Sequence, residues 1–100
     1  MERGTTPTHT FEVPFEKATI KTVKITYSQN DNVVFSKKTE DCTIEDGKIS
    51  VKLTQEETLA CKLNSLISIQ VRILTQGGDA LSSDIIVDTI QKSLDDEVLV

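Results

Sequence analysis

One hundred residues is a single-domain length, enough to bury one core and no more. The aromatics are only Phe11, Phe15, Tyr27 and Phe35, with no Trp, so the core must be built from Ile, Val and Leu. The net charge of −5 sits wholly in residues 75–100, where Asp79, Asp84, Asp88, Asp95, Asp96 and Glu97 stand against Lys92 alone, and such an acidic end repels phosphate and excludes nucleic acid as the expected partner.

Residues 1–8 have no apolar anchor after Met1 and read as an extended arm, with Pro7 blocking helix. His9, Phe11, Val13 and Phe15 then alternate with Thr10 and Glu12, the period of a strand, and Pro14 marks its end or a sheet edge. Val23, Ile25 and Tyr27 alternate with Lys24, Thr26 and Ser28. The turn-forming run from Ser28 to Asn32 follows, and Val33, Val34 and Phe35 open the return strand of a hairpin. Cys42 and Ile44 share a face. Asp46-Gly47 is a two-residue turn in which both positions accept positive φ, and Ile49, Val51 and Leu53 complete a second hairpin.

Thr54-Gln55-Glu56-Glu57 has the form of a capping box and predicts a short helical turn over about 55–61. Too short to stand alone, it reads as a crossover between two layers. Ile67, Ile69, Val71 and Ile73 form the most apolar strand. After a tight turn at Gln76–Asp79, Leu81, Ser83, Ile85 and Val87 return as the last long strand, with Ile86 and Ile90 off the alternation as a bulge or burial on both faces would leave them. In the last ten residues, Ile90, Leu94 and Val98 suit a helix and Glu97 to Val100 suit a frayed end equally well.

Seven short strands with regular turn signals predict an all-β sandwich or small barrel. The crossover near 55–61 favours an immunoglobulin-like β-sandwich of about seven strands, in architecture rather than antibody kinship, because there is no core Trp and no bridging Cys pair. The domain is expected over 9–93, between an extended N-terminal arm at 1–8 and an acidic C-terminal tail at 94–100.

No catalytic, cofactor-binding or metal-binding residue is assigned, and the chain is read as not an enzyme. His9, the one histidine, reads as a strand residue at the rim rather than the base of a Ser–His–Asp set. Cys42 and Cys61 read as small buried hydrophobes with free thiols. No apolar run in residues 1–20 suggests a signal peptide, and nothing approaches the ~20 apolar residues of a membrane span, so a reducing cytoplasm and no membrane association are expected. Glu56-Glu57 and Asp95-Asp96 are adjacent residues whose side chains point apart, which an acid–base dyad does not tolerate. Asn30-Asp31-Asn32 lacks the distal Glu of a calcium loop, and Gly77-Gly78 lacks the lysine and helix of a phosphate cradle. Arg72, Lys24 and Lys52 are expected to pair with acids across strands rather than form a basic stripe.

The string Arg3-Gly4-Thr5-Thr6-Pro7-Thr8 followed by Thr10-Phe11, the run Val51-Lys52-Leu53-Thr54-Gln55-Glu56-Glu57-Thr58-Leu59, and Ile69-Gln70-Val71-Arg72 together resemble small β proteins encoded by phages and prophages of Gram-positive bacteria. The resemblance runs from about residue 3 to residue 98. It implies a non-enzymatic structural or assembly module of the virion tail or baseplate region. Such a module is made in the bacterial host cytoplasm and partnered by other virion subunits or by itself as a homo-oligomer. Cys61 departs from the bulky apolar residue the resemblance implies there. The arm would then either dock on a neighbouring subunit as an added strand or be a disordered terminus. The alternative is a prophage-encoded binding or regulatory domain acting on a host protein or a surface carbohydrate.

Overall fold

Alternating apolar residues become strands only when their apolar faces find cover, and here two antiparallel sheets cover each other. The computed structural model describes residues 1–63 and 65–100. Strands β1 (Thr8–Glu12), β4 (Cys42–Glu45) and β5 (Lys48–Lys52) form a three-stranded sheet in the order β1-β5-β4. Strands β2 (Ile20–Gln29), β3 (Asn32–Lys38) and β6 (Ile67–Thr75) form the second sheet in the order β3-β2-β6, and both β7 (Ala80–Ser82) and β8 (Ile86–Asp88) pair with the far flank of β6. The short helix α1 (Gln55–Leu59) carries the chain from one sheet to the other. This is an all-β sandwich in the immunoglobulin arrangement: β3-β2-β6-β7 follows the C′-C-F-G layer, and β1-β5-β4 follows the B-E-D part of the other.

The core is the shared inner face. Val23, Ile25 and Tyr27 of β2 pair with Ile73, Val71 and Ile69 of β6, and all six point at Ile49 and Val51 of β5 and at Leu53. Both hairpins turn where the sequence places them. Asn30 and Asp31 take the left-handed backbone, at φ 51° and 64°, as a two-residue turn with the twist of its strands requires. At Asp46-Gly47 only the glycine is left-handed, at φ 79°, so that turn rests on one special residue rather than the two expected.

The capping box forms: Thr54 Oγ1 accepts from Glu57 N–H, and Glu57 Oε1 accepts from Thr54 N–H. Helix α1 ends at Leu59, two residues short of the expected limit. Two inward polar residues pin it between the sheets. Lys37, which alternation from Phe35 puts on the inner face of β3, extends its Nζ to 2.6 Å from the same Glu57 carboxylate. Buried Gln29 clamps the chain after the helix, its amide donating to Lys62 O and accepting from Lys62 N–H.

Residues 1–7 lie along their own chain. Met1 packs against the core, Arg3 bonds Asp96 and Leu59 O, Thr5 O accepts from Thr58 Oγ1, and Pro7 O accepts from Leu53 N–H. Glu2 makes a single parallel bridge to Gln91.

The last long strand is a correction: it is two short ones. Leu81 pairs with Ile73 but Ile86 pairs with Ile69, a slip of one residue across 83–85. Ser83 Oγ accepts from Val71 N–H in place of a main-chain carbonyl. The slip turns Ile86, not Ile85, to the inner face.

Removing one partner of the Lys37–Glu57 pair strands the other, so Lys37→Ala is expected to lower unfolding free energy by about 3 kcal/mol. Lys37→Met, which fills the same space, is expected to cost clearly less than Lys37→Ala. Urea denaturation of both variants checks this; equal losses would mean the packing of the lysine stem contributes nothing beyond the ion pair.

Candidate binding groove at the open sheet edge

The two sheets differ in width, and the difference leaves a groove. In a constant-type immunoglobulin sandwich, a strand A pairs with strand B. Among the described residues, nothing occupies that position beside β1. Leu53 N–H donates to Pro7 O and Val13 N–H to Gly47 O, so odd residues from 7 to 13 bond toward β5. Thr8, Thr10 and Glu12 therefore direct their N–H and C=O groups outward, along a free edge. Opposite, Leu81 and Ile86 face the core side of their sheet, yet each is 44% exposed because no strand lies over them.

Between these edges runs a groove of about 590 Å³, walled by Phe11, Val13 and Phe15 on one side and by Leu81 and Ile86 on the other, with Val71 beneath. Its lining is mostly apolar. It combines a row of unpaired backbone donors and acceptors with a hydrophobic floor, which is what an extended peptide strand requires. The alternation of β1 gave the sequence signal for the first wall. The second wall needed the one-residue slip at 83–85, which alternation alone does not reveal.

Toward its other end, β1 is anchored by His9. Its Nδ1 lies 2.7 Å from the hydroxyl of Tyr27, which is fully buried on β2 and stacked at 4.4 Å on Phe35. Burial pushes the Tyr27 phenol well above its usual range, with the Glu57 carboxylate adding to the effect. Burial also lowers the His9 pKa, opposed in part by Asp88 and reinforced by the Met1 amine. This pair is a satisfied core contact between the sheets. The buried Cys61 and half-buried Cys42 thiols are both free and both pushed up, first by burial and for Cys42 next by Asp41, so neither is poised as a nucleophile.

The remaining candidates fall apart in space or into structural roles. Glu57 caps α1 and holds Lys37, whereas Glu56 faces solvent. Asp96 pairs with Arg3, and Asp95 accepts from Glu97 N–H. Asn30 and Asp31 are the β2–β3 turn, and Gly78, at φ 91°, closes the β6–β7 turn. Lys52 lies on the three-stranded sheet, away from Lys24 and Arg72, which are cross-strand neighbours on the other. Among the described residues no three His, Cys, Asp or Glu side chains gather as metal ligands, and no helix is long and apolar enough to cross a membrane. No protein-family model, curated protein or solved structure matches the chain.

Because folding depresses the His9 pKa below 6.5, the unfolded chain takes up more protons as the solution is acidified. The His9 contribution to stability is thus complete above that value and is lost as pH falls through it. Urea midpoints are expected to drop between about pH 7.5 and about pH 5.5, and His9→Gln is expected to shrink the drop. An equal drop in the variant would remove His9 as the cause.

Proposed function

We propose that the chain is a non-enzymatic assembly module that receives an extended strand from another protein subunit in the groove beside β1. The observation that carries this reading is the free backbone edge of Thr8, Thr10 and Glu12 lying across from Leu81 and Ile86, apolar residues on the inner face of their sheet that nothing among the described residues covers. A strand added to β1 would bond to that edge and lay alternate side chains on Leu81 and Ile86, supplying the missing fourth strand. Residues 1–7 are bound within their own chain, which supports the groove as the acceptor rather than the arm as the donor. The resemblance to small phage and prophage proteins supports a setting in a virion tail or baseplate.

The test uses ten-residue peptides alternating valine and threonine, with scrambled controls of the same composition. Binding is expected to slow amide exchange at Thr8, Thr10 and Glu12 and to weaken at least tenfold in Leu81→Asp/Ile86→Asp. Alternating and scrambled peptides behaving alike, or binding unaffected by the double substitution, would overturn the proposal.

A further inference from the structure

The outer face of the wider sheet carries charge of one sign. Register places Lys38, Lys24 and Arg72 side by side across β3, β2 and β6. A bulge between Ile20 and Thr22 turns Lys21 outward as well. The other outward residues of these strands and of β7 are Thr22, Thr26, Ser28, Ser36, Ser68, Gln70 and Ser82 with a few apolar ones, and none is acidic. Among the described residues, none of the four cations has an ion-pair partner. The narrower sheet is different: there Lys48 stands between Glu12 and Glu45 and bonds the latter. Like charges on neighbouring strands repel, so this row costs stability in the free chain.

Beside the row lies a depression of about 270 Å³ with Leu74 and Ala80 in its floor and Lys24, Arg72, Thr22 and Ser82 around it. Its complement is a segment in which carboxylates sit next to aliphatic side chains. The run Leu94-Asp95-Asp96-Glu97-Val98-Leu99 has this composition, with three consecutive carboxylates in the quarter that holds the whole acidic excess. Leu94 is 99% exposed, and Asp95 and Glu97 make no ion pair among the described residues. Within its own chain this segment is tied elsewhere, Asp96 to Arg3 and Leu99 to Gln55.

We infer that the Lys24–Arg72 face binds the acidic C-terminal segment of a second copy of this chain, joining copies head to tail. The contact joins unlike surfaces, so each copy offers one face and, once its contacts to Arg3 and Gln55 are exchanged, one tail, and the association runs on into rings or filaments instead of stopping at a symmetric pair. It is independent of the groove, and the test leaves the groove residues untouched.

Sedimentation velocity over a concentration series is expected to show association at about 0.05 M salt that weakens tenfold or more by about 0.3 M, as screening requires. Lys24→Glu/Arg72→Glu loses the face and Asp95→Lys/Glu97→Lys loses the tail, so each alone is expected to be monomeric. Mixed, they are expected to associate again, because the intact tail of the first fits the intact face of the second and the reversed tail of the second matches the reversed face of the first. Wild-type protein that stays monomeric at low salt up to about 1 mM, or charge-reversed variants that associate as wild type does, would overturn the inference. Circular dichroism of each variant separates loss of association from loss of fold.

Discussion

A phenol in the middle of an aliphatic core must find a hydrogen-bond partner, and much of this fold follows from where Tyr27 finds one. Its ring fills the place between the sheets that a Trp on the equivalent strand fills in antibody domains, and its hydroxyl meets His9 at 2.7 Å. That contact sets β1 above β2. With β1 at the edge of a three-stranded sheet and fixed there, the narrower layer reaches over β2 and β6 but not over the strand beyond. The inner faces of Leu81 and Ile86 lie beyond the reach of that narrower layer and stay exposed.

The same logic governs the polar groups that enter the sandwich. Lys37 and Gln29 sit at inward positions of β3 and β2, where aliphatic residues would pack more simply. Both reach toward the crossover, one through the carboxylate that also caps α1 and the other through the backbone of Lys62. A helix of five residues has no stability of its own, and these bonds replace the cooperativity that length would have supplied.

Alternation made most strands legible because each has one wet and one dry face, and the capping box of α1 was legible for the same local reason. Features that depend on register were not. The period of two across 81–87 points to Ile85, and only the hydroxyl of Ser83 replacing a main-chain acceptor shifts the inward position to Ile86. Lys37 was available by counting two from Phe35, but a lysine pattern reads as surface until a buried partner is known. Lys24 and Arg72 were visible as a pair of cations, yet grouping them with Lys52 instead of Lys38 shows the limit: which strands lie side by side is a property of the whole chain. The groove was the least visible feature, because it arises from a difference in width between two sheets and from no residue in particular.

The central pairing of the molecule joins Ile20–Ser28 to Ser68–Thr75, so the middle of the core is made by residues forty or more apart in the chain. Such pairings form late and slowly, since a long loop must close before any contact rewards it. A nascent chain that has not yet completed β6 holds two finished hairpins, β2–β3 and β4–β5, each with one apolar face and no cover. Synthesis therefore passes through a stage in which the eventual core of the sandwich is open surface. The polar turn residues and the lysines and glutamates on the outer faces are what keep that intermediate from pairing with its neighbours before its own last strands arrive.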